Sequence, residues 1–391
     1  MRRLSAQFVI TNTGLPLKRA VISADDDGTI TGIEENDGTE RESQSVEFYN
    51  GIIIPGFVNC HCHLELAQLK GVVPEGKGLS DFIMHVRNSR LSESDEQLTG
   101  IRHSDRIMSD EGIVLCADIC NDPVTFEIKK KSQIKYINLL EVFGIDPEKA
   151  RKRIEESTAL EKYSADSGLP YSVVPHSAYS VSLPLFKLIK EKTKNNIVTS
   201  IHFMESAAEA EFLSGNTGPL RKSYEDSGLL PEKLQVPADH KSAVLDEVTL
   251  SGNLILVHNT FAGKGIVEEI LKRGNTFWCL CPGSNMYIEN KLPPVEMLIS
   301  EGCEIVVGTD SLASNKTLSI LAELKLISFH FPSVRFEEII RWATINGARA
   351  LAEDDNFGKI APGRKPGLLL LENVDLANFK LLPDTIVTRL V

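Results

Sequence analysis

Two histidines, His61 and His63, stand two positions apart at the end of the apolar run Phe57-Val58-Asn59-Cys60-His61-Cys62-His63. In a strand, side chains at i and i+2 face the same way, so two neutral imidazoles converge and can share a divalent metal. Alone the pair is weak, because short motifs match by chance and two ordinary strand-end histidines would look the same. The rest of the chain offers more donors, each closing an apolar run: His176 after Val174-Pro175, His202 after Ser200-Ile201, His258 after Leu256-Val257 and Asp310 after Val307-Gly308-Thr309. Ser206-Ala207-Ala208-Glu209 reads as a capping box that begins a helix, which leaves Glu205 in the loop just beyond His202.

These residue types suit hydrolysis. His61, His63 and His202 would supply three nitrogens and Asp310 an anionic oxygen, leaving one position for water, as an open catalytic site requires. A divalent ion lowers the pKa of that water towards ~7, so the expected nucleophile is metal-bound hydroxide. Asp310 can take the water's proton, His258 can hydrogen-bond the hydroxide, and Glu205 can protonate the leaving end of a substrate. A two-metal site would commonly need a bridging carboxylate at the end of the fourth run. There the chain carries His176, and no lysine between Lys162 and Lys187 could be carbamylated. One metal per chain is the expectation.

Eight short apolar runs must position these groups: Phe57 to Cys62, Ile113 to Ala117, Tyr136 to Val142, Tyr171 to Val174, Ile197 to Ile201, Leu254 to Val257, Thr276 to Leu280 and Ile305 to Val307. Segments long enough for helices separate them, among them Pro147 to Tyr163, Leu183 to Thr193, Gly263 to Arg273 and Pro293 to Glu301. Strands alternating with helices imply parallel βα units, and eight of them predict an α/β fold of the (β/α)8 TIM-barrel type, with its chemistry at the C-terminal strand ends. A doubly wound sheet is the second choice, since the first run lacks the glycine-rich phosphate turn. Outside this region the texture is of short β runs and turns: Phe8 to Thr11, Arg19 to Ile22, Thr29 to Ile33 and Glu47 to Tyr49, then Gly358 to Gly363, Leu368 to Glu372 and Thr385 to Thr388. The expected organisation is residues 1–55 and 356–391 as one small β-sandwich domain built from both termini, and 56–355 as the catalytic barrel.

Composition excludes several classes. The 391 residues are 42% hydrophobic and 25% charged, ordinary for a globular chain with a large core. A net charge of −12 without a basic stripe argues against nucleic acid, and no stretch approaches a membrane span. Arg2-Arg3 is followed by no apolar segment of the signal-peptide kind, so a cytoplasmic location is expected. Seven cysteines, an odd number in a long chain, fit free thiols better than a disulfide framework. The expected partner is a small-molecule substrate, and the expected assembly a homodimer.

The ordered set Pro55 to Glu65, Pro175 to Ser182, His202 to Ser206, Val257-His258-Asn259, Cys281-Pro282-Gly283-Ser284-Asn285 and Gly308 to Asn315 resembles the amidohydrolase superfamily. Within it the likeness is to the mononuclear aminohydrolases, which include S-adenosylhomocysteine, adenosine and aminofutalosine deaminases and the triazine chlorohydrolase relatives. It runs from about residue 50 to 365. The resemblance implies Zn²⁺, or alternatively Fe²⁺, on His61, His63, His202 and Asp310. It also implies Glu205 protonating a ring nitrogen, His258 and Asp310 handling the water, and His176 near the substrate. The implied reaction is deamination of a purine-like or nucleoside-like heterocycle; a chlorohydrolase, a cyclic-amide hydrolase and a non-catalytic barrel are the alternatives. In the helix-like stretch Gly78 to Arg87, the residues Phe82, His85 and Arg87 are substrate-binding candidates. Gly283 stands where many relatives carry arginine, which removes a cation above the pocket.

Overall fold

The computed structural model describes residues 1–35, 45–89, 95–249 and 251–391. Before the expected α/β region lie β1 (Arg2–Val9), β2 (Leu17–Lys18), β3 (Val21–Ala24), β4 (Ile30–Glu34) and β5 (Val46–Pro55). All eight apolar runs are strands: β6 (Phe57–Cys62), β7 (Ile113–Cys120), β8 (Lys135–Val142), β9 (Tyr171–Pro175), β10 (Val198–Phe203), β11 (Asn253–His258), β12 (Thr276–Leu280) and β13 (Glu304–Val307). Two more, β14 (Leu368–Asp375) and β15 (Lys380–Arg389), end the chain.

Strands β6 to β9 pair in parallel as one sheet and β10 to β13 as another. Helices Ala150–Asp166, Leu183–Lys192, Lys264–Leu271 and Val295–Ser300 occupy the expected intervals. With helices alongside, a parallel strand is buried on both faces, which is why β7 is apolar without alternation but for Asp118, and buried throughout. The two sheets are stitched together at both edges. His202 N donates to the His176 carbonyl at 2.8 Å, and Thr309 N and Asp310 N both donate to the His61 carbonyl at 3.0 Å. Buried Asn59 adds a bond across the second seam, from Nδ2 to Thr309 Oγ1 at 2.8 Å. Four of the residues singled out for chemistry, His61, His176, His202 and Asp310, are therefore residues at the seams.

The terminal strands form one continuous seven-stranded sheet, in the order β15-β14-β5-β1-β3-β4 with β2 on β1. Strand β5 pairs in parallel with β1 on one side and antiparallel with β14 on the other, joining both termini. Ile53, Leu368 and Leu370 pack with Leu4, Val9 and Ile22 into a small core, while Ile52, Ile54, Leu369 and Leu371 face the main core. Both faces are covered, so Ile52 to Ile54 and Leu368 to Leu371 read as unbroken apolar runs.

Gly358 to Gly363, expected as a strand, is a turn-bearing connection. Gly358 and Gly363 have φ of +79° and +82°, and Pro362 has no N–H to give a ladder. Ile360 N and Gly363 N instead tie the segment to Thr11 and Ile30. Among the described residues, no helix is long and apolar enough to cross a membrane.

Candidate metal centre

The register of β6 on β7 shifts between Asn59 and Cys62, where three residue steps on β6 oppose two on β7. Such a bulge re-aims side chains, and here it sits under His61 and His63. Their Nε2 atoms are 3.1 Å apart. Asp310, arriving across the seam from β13, places Oδ1 3.6 Å from His61 Nε2 and 3.5 Å from His63 Nε2. Ligand atoms at ~2.0–2.1 Å on a tetrahedral zinc lie about 3.3 Å from one another. The three separations bracket that value. Ser284 and Ser314 hydroxyls, each at 2.6 Å, both donate to Asp310 Oδ2, which saturates that oxygen and leaves Oδ1 to face the imidazoles.

His202 joins them from the end of β10, and one ring nitrogen from each of His61, His63 and His202 falls within a group 4.8 Å across. Its Nδ1 lies 3.0 Å from the His176 carbonyl and 3.6 Å from Glu141 Oε1. Donation from Nδ1 fixes the tautomer with the Nε2 lone pair free, the arrangement that holds metal-binding histidines in place. Burial, reinforced by the surrounding imidazoles, holds His202 well below the ordinary histidine pKa, so the ring is a neutral donor. Burial alone would push Asp310 up, but the imidazoles of His61, His63 and His258 outweigh it and keep the carboxyl well below its usual range. Neutral nitrogens beside an anionic oxygen are a donor set that fits a divalent metal. A second group, Glu141, His176 and His202, shares one of these residues.

Two further groups face the cluster. His258 Nδ1 lies 3.3 Å from Asn285 Oδ1, while its buried Nε2 has no hydrogen-bond partner among the described residues. Burial lowers its pKa to about 4, so the ring is neutral with an accepting lone pair on Nε2. Glu205 Oε1 is 3.7 Å from that atom. Burial first, then the charges of Glu209 and Asp310, hold the Glu205 carboxyl well above its ordinary pKa, so it keeps its proton. The expected capping box is present: Ser206 Oγ accepts from Ala208 N at 3.2 Å, and Glu209 Oε1 from Ser206 N at 2.8 Å. It fixes the loop that carries Glu205. Met204, His258, Asn259 and Asp310 all adopt positive φ, a state uncommon among non-glycine residues as a whole that clusters at functional sites.

His176 is part of the cluster, its ring stacked on His202 with centroids 4.6 Å apart and its Nδ1 within reach of the Ser177 and Ser180 hydroxyls. Of the other substrate candidates, Phe82 packs beside Leu66, Leu69 and Val73 in the segment that follows His63. His85 turns its Nδ1 to the carbonyl of Asp81, one helical turn earlier, and Arg87 is exposed. Sequence reasoning passed over Ser284, Ser314, Asn285, Asn59 and Glu141. The first four lie in stretches already singled out, but nothing in their spacing assigns them to Asp310, His258 or the seam; Glu141 stands near the end of a strand whose terminus offered no histidine.

The structure also explains Gly283. A Cβ there would lie 2.6–2.7 Å from the side-chain ends of Asn315 and Glu323. Glu323 Oε2 accepts from Gly283 N at 2.7 Å and its Oε1 from Asn315 Nδ2 at 2.6 Å. A buried carboxyl fills the space a side chain at 283 would need. Gly283→Ala is therefore expected to cost ~1–3 kcal/mol through overpacking, measurable by denaturant unfolding; an unchanged midpoint would contradict the packing described. Burial raises Glu323 to about 8. A carboxyl whose folded pKa lies above its unfolded value binds its proton more tightly when folded, so its contribution is full below about 4.5 and is lost as pH rises to about 8. Glu323→Gln should flatten the decline of Tm across that window, and a parallel decline in both proteins would refute the assignment.

The amidohydrolase family model matches residues 52–391. The chain belongs to the amidohydrolase family. Among its relatives is the 5-methylthioadenosine/S-adenosylhomocysteine deaminase of Pyrococcus furiosus, 27% identical over 351 residues that cover 83% of this chain and 76% of that one. Helicobacter pylori aminofutalosine deaminase, solved with methylthio-coformycin, superposes with a TM-score of 0.79 at 23% identity, covering 95% of this chain and 92% of the other. An adenosine deaminase from Xanthomonas campestris with bound zinc gives 0.72 at 18% identity, covering 97% and 86%. This amidohydrolase thus shares its overall fold with both solved enzymes along nearly its whole length.

Proposed function

We propose that this amidohydrolase is a hydrolytic deaminase that removes the amino group of a purine-like or nucleoside-like heterocycle and releases ammonia, acting on a C–N bond other than a peptide bond. The observation that carries the reading is the triangle of His61 Nε2, His63 Nε2 and Asp310 Oδ1 at 3.1, 3.5 and 3.6 Å, with a protonated Glu205 beside it. Deaminase relatives spanning four-fifths of the chain support the chemistry. In this reading β6 to β13 close through both seams as a (β/α)8 barrel spanning 56–355, and residues 1–55 and 356–391 form the accessory β domain.

His61, His63, His202 and Asp310 would hold one ion, Zn²⁺ in preference to Fe²⁺. When bound, a divalent ion polarises water so that it is nucleophilic near neutral pH. The protein's own groups do the rest. His258 Nε2, neutral and accepting, takes a hydrogen bond from the attacking water and so orients it at the amine-bearing carbon. Asp310 Oδ1 accepts the water's proton, its partner oxygen held still by Ser284 and Ser314. Glu205 donates its proton to the ring nitrogen as the carbon becomes tetrahedral; the proton taken by Asp310 passes to the amine, the C–N bond breaks to release ammonia, and the hydroxyl proton returns to Glu205 as the carbonyl forms. His176 and Phe82 flank the substrate, and His85 and Arg87 extend that wall from the helix Leu79–Ser89. Seven free cysteines support a cytoplasmic enzyme.

The test is ammonia release across a library of aminopurines and their nucleosides beside chloro- and alkylamino-triazines and cyclic amides. Turnover of an amino-substituted purine with stoichiometric ammonia is expected. Release of chloride or ring-opened acid, with no ammonia from any compound, would overturn the assignment.

A further inference from the structure

One charged pair is sealed beneath the proposed centre and takes no part in the hydrolysis. Asp118, in β7, and Lys129, at the end of the helix Phe126–Lys129, have side chains with no exposed surface, and Lys129 Nζ lies 2.5 Å from Asp118 Oδ2. The ammonium uses all three donors, the others going to Asn138 Oδ1 at 2.7 Å and Cys120 Sγ at 3.1 Å. The rings of Phe126 and Tyr136 flank it, with centroids 5.6 and 5.3 Å away. Lysine is almost never so buried, and taking two charges out of water costs enough that an ion pair of this kind is weak evidence of stabilisation.

The other carboxylate oxygen shows what the pair does. Asp118 Oδ1 accepts from Leu64 N at 2.7 Å, immediately after His63 and just beyond the point where the β6 register on β7 slips. The slip interrupts the ladder between Asn59 and Cys62; pairing resumes at Cys62–Asp118 and β6 ends there, so the chain beyond Cys62, which carries His63, has no further rung to β7. The Asp118 carboxylate extends the hold on that backbone by one bond, at Leu64.

We propose that Asp118 and Lys129 are positioning residues for the metal centre: Asp118 pins the backbone at Leu64 and thereby sets the His61–His63 separation, and Lys129 supplies the counter-charge Asp118 needs when buried. The inference rests on the metal-site reading above. A purely structural staple between β7 and the following helix would not distinguish variants that keep the Leu64 bond from those that lose it.

Two double variants make that distinction, because each removes both charges and so avoids stranding one of them. D118N/K129M keeps an acceptor for Leu64 N–H; D118L/K129M does not. Metal affinity is read by competition with a chromophoric chelator, and ligand geometry by the visible absorption of the Co²⁺-loaded proteins. D118N/K129M should bind close to wild type with an unchanged Co²⁺ spectrum. D118L/K129M should bind about 10- to 100-fold more weakly, the usual cost of losing an outer-shell partner, with a displaced band. Equal affinities and spectra in the two would overturn the positioning role while leaving the metal site standing. Wild-type protein that binds neither Zn²⁺ nor Co²⁺ would overturn the centre and this inference with it. Amide exchange at Leu64 in metal-free wild type reads the same bond without any substitution: protection like that of the strand interiors is expected, and exchange at loop rates would refute the pin.

Discussion

Glu205→Gln is expected to lower turnover by about two to four orders of magnitude with metal content unchanged. Glutamine keeps the shape and can still donate a hydrogen bond to a ring nitrogen. It cannot give up a proton and pass it on to the departing amine. The wild-type carboxyl is suited to that step because burial, with Glu209 and Asp310 nearby, holds its pKa well above the ordinary range. The wild-type rate should accordingly fall as pH rises through that raised pKa, since the acid must be protonated to donate, and this limb should vanish in the variant. The measurement is steady-state ammonia release against pH, beside metal analysis of the same samples. Near-normal turnover would dismiss Glu205 as the acid, and lost metal would make it a ligand instead.

His61→Ala should abolish both metal binding and ammonia release while the chain stays folded. The seam bonds from Thr309 N and Asp310 N go to the His61 backbone carbonyl, which alanine retains, so the loss falls on the ring. Ligand binding stabilises a fold by RT ln(1 + [L]/Kd), about 4 kcal/mol at a thousandfold excess over Kd. Added Zn²⁺ should therefore raise the Tm of metal-stripped wild type and leave that of the variant where it was. A variant that keeps full metal content would remove His61 from the ligand set. Two tightly held ions in the wild type would contradict the single centre, and full activity in metal-free wild type would end the metal-dependent account altogether.

Much of the architecture was legible because burial leaves a mark on composition. A parallel strand covered on both faces must be apolar at successive positions, and the eight runs stood out for that reason; Ser206 and Glu209 announced a helix start because unsatisfied N–H groups there need those side chains. One reading failed. Gly358 to Gly363 carries strand-like residues, but Gly358, Pro362 and Gly363 impose turns. That both ends of the chain join in one sheet follows from β5, which pairs with strands from both, a choice that the texture of each strand alone does not record.

What the sequence by itself determined is the chemical inventory at the strand ends: His61, His63, His176, His202, His258, Asp310 and Glu205, each marked by a residue type that can bind a metal or move a proton, and each placed by local periodicity. What only the tertiary structure decided is how those groups are held. The triangle at 3.1 to 3.6 Å, the serines that saturate one oxygen of Asp310, the carbonyl that fixes the His202 tautomer, and Asp118 bound to Leu64 N all join residues far apart in the chain. A carboxylate, a hydroxyl or an amide looks the same in sequence whether it faces water or a histidine. Its pKa, tautomer and partner are set by burial and by the charges around it, and these exist only once β6 has met β13 and β9 has met β10.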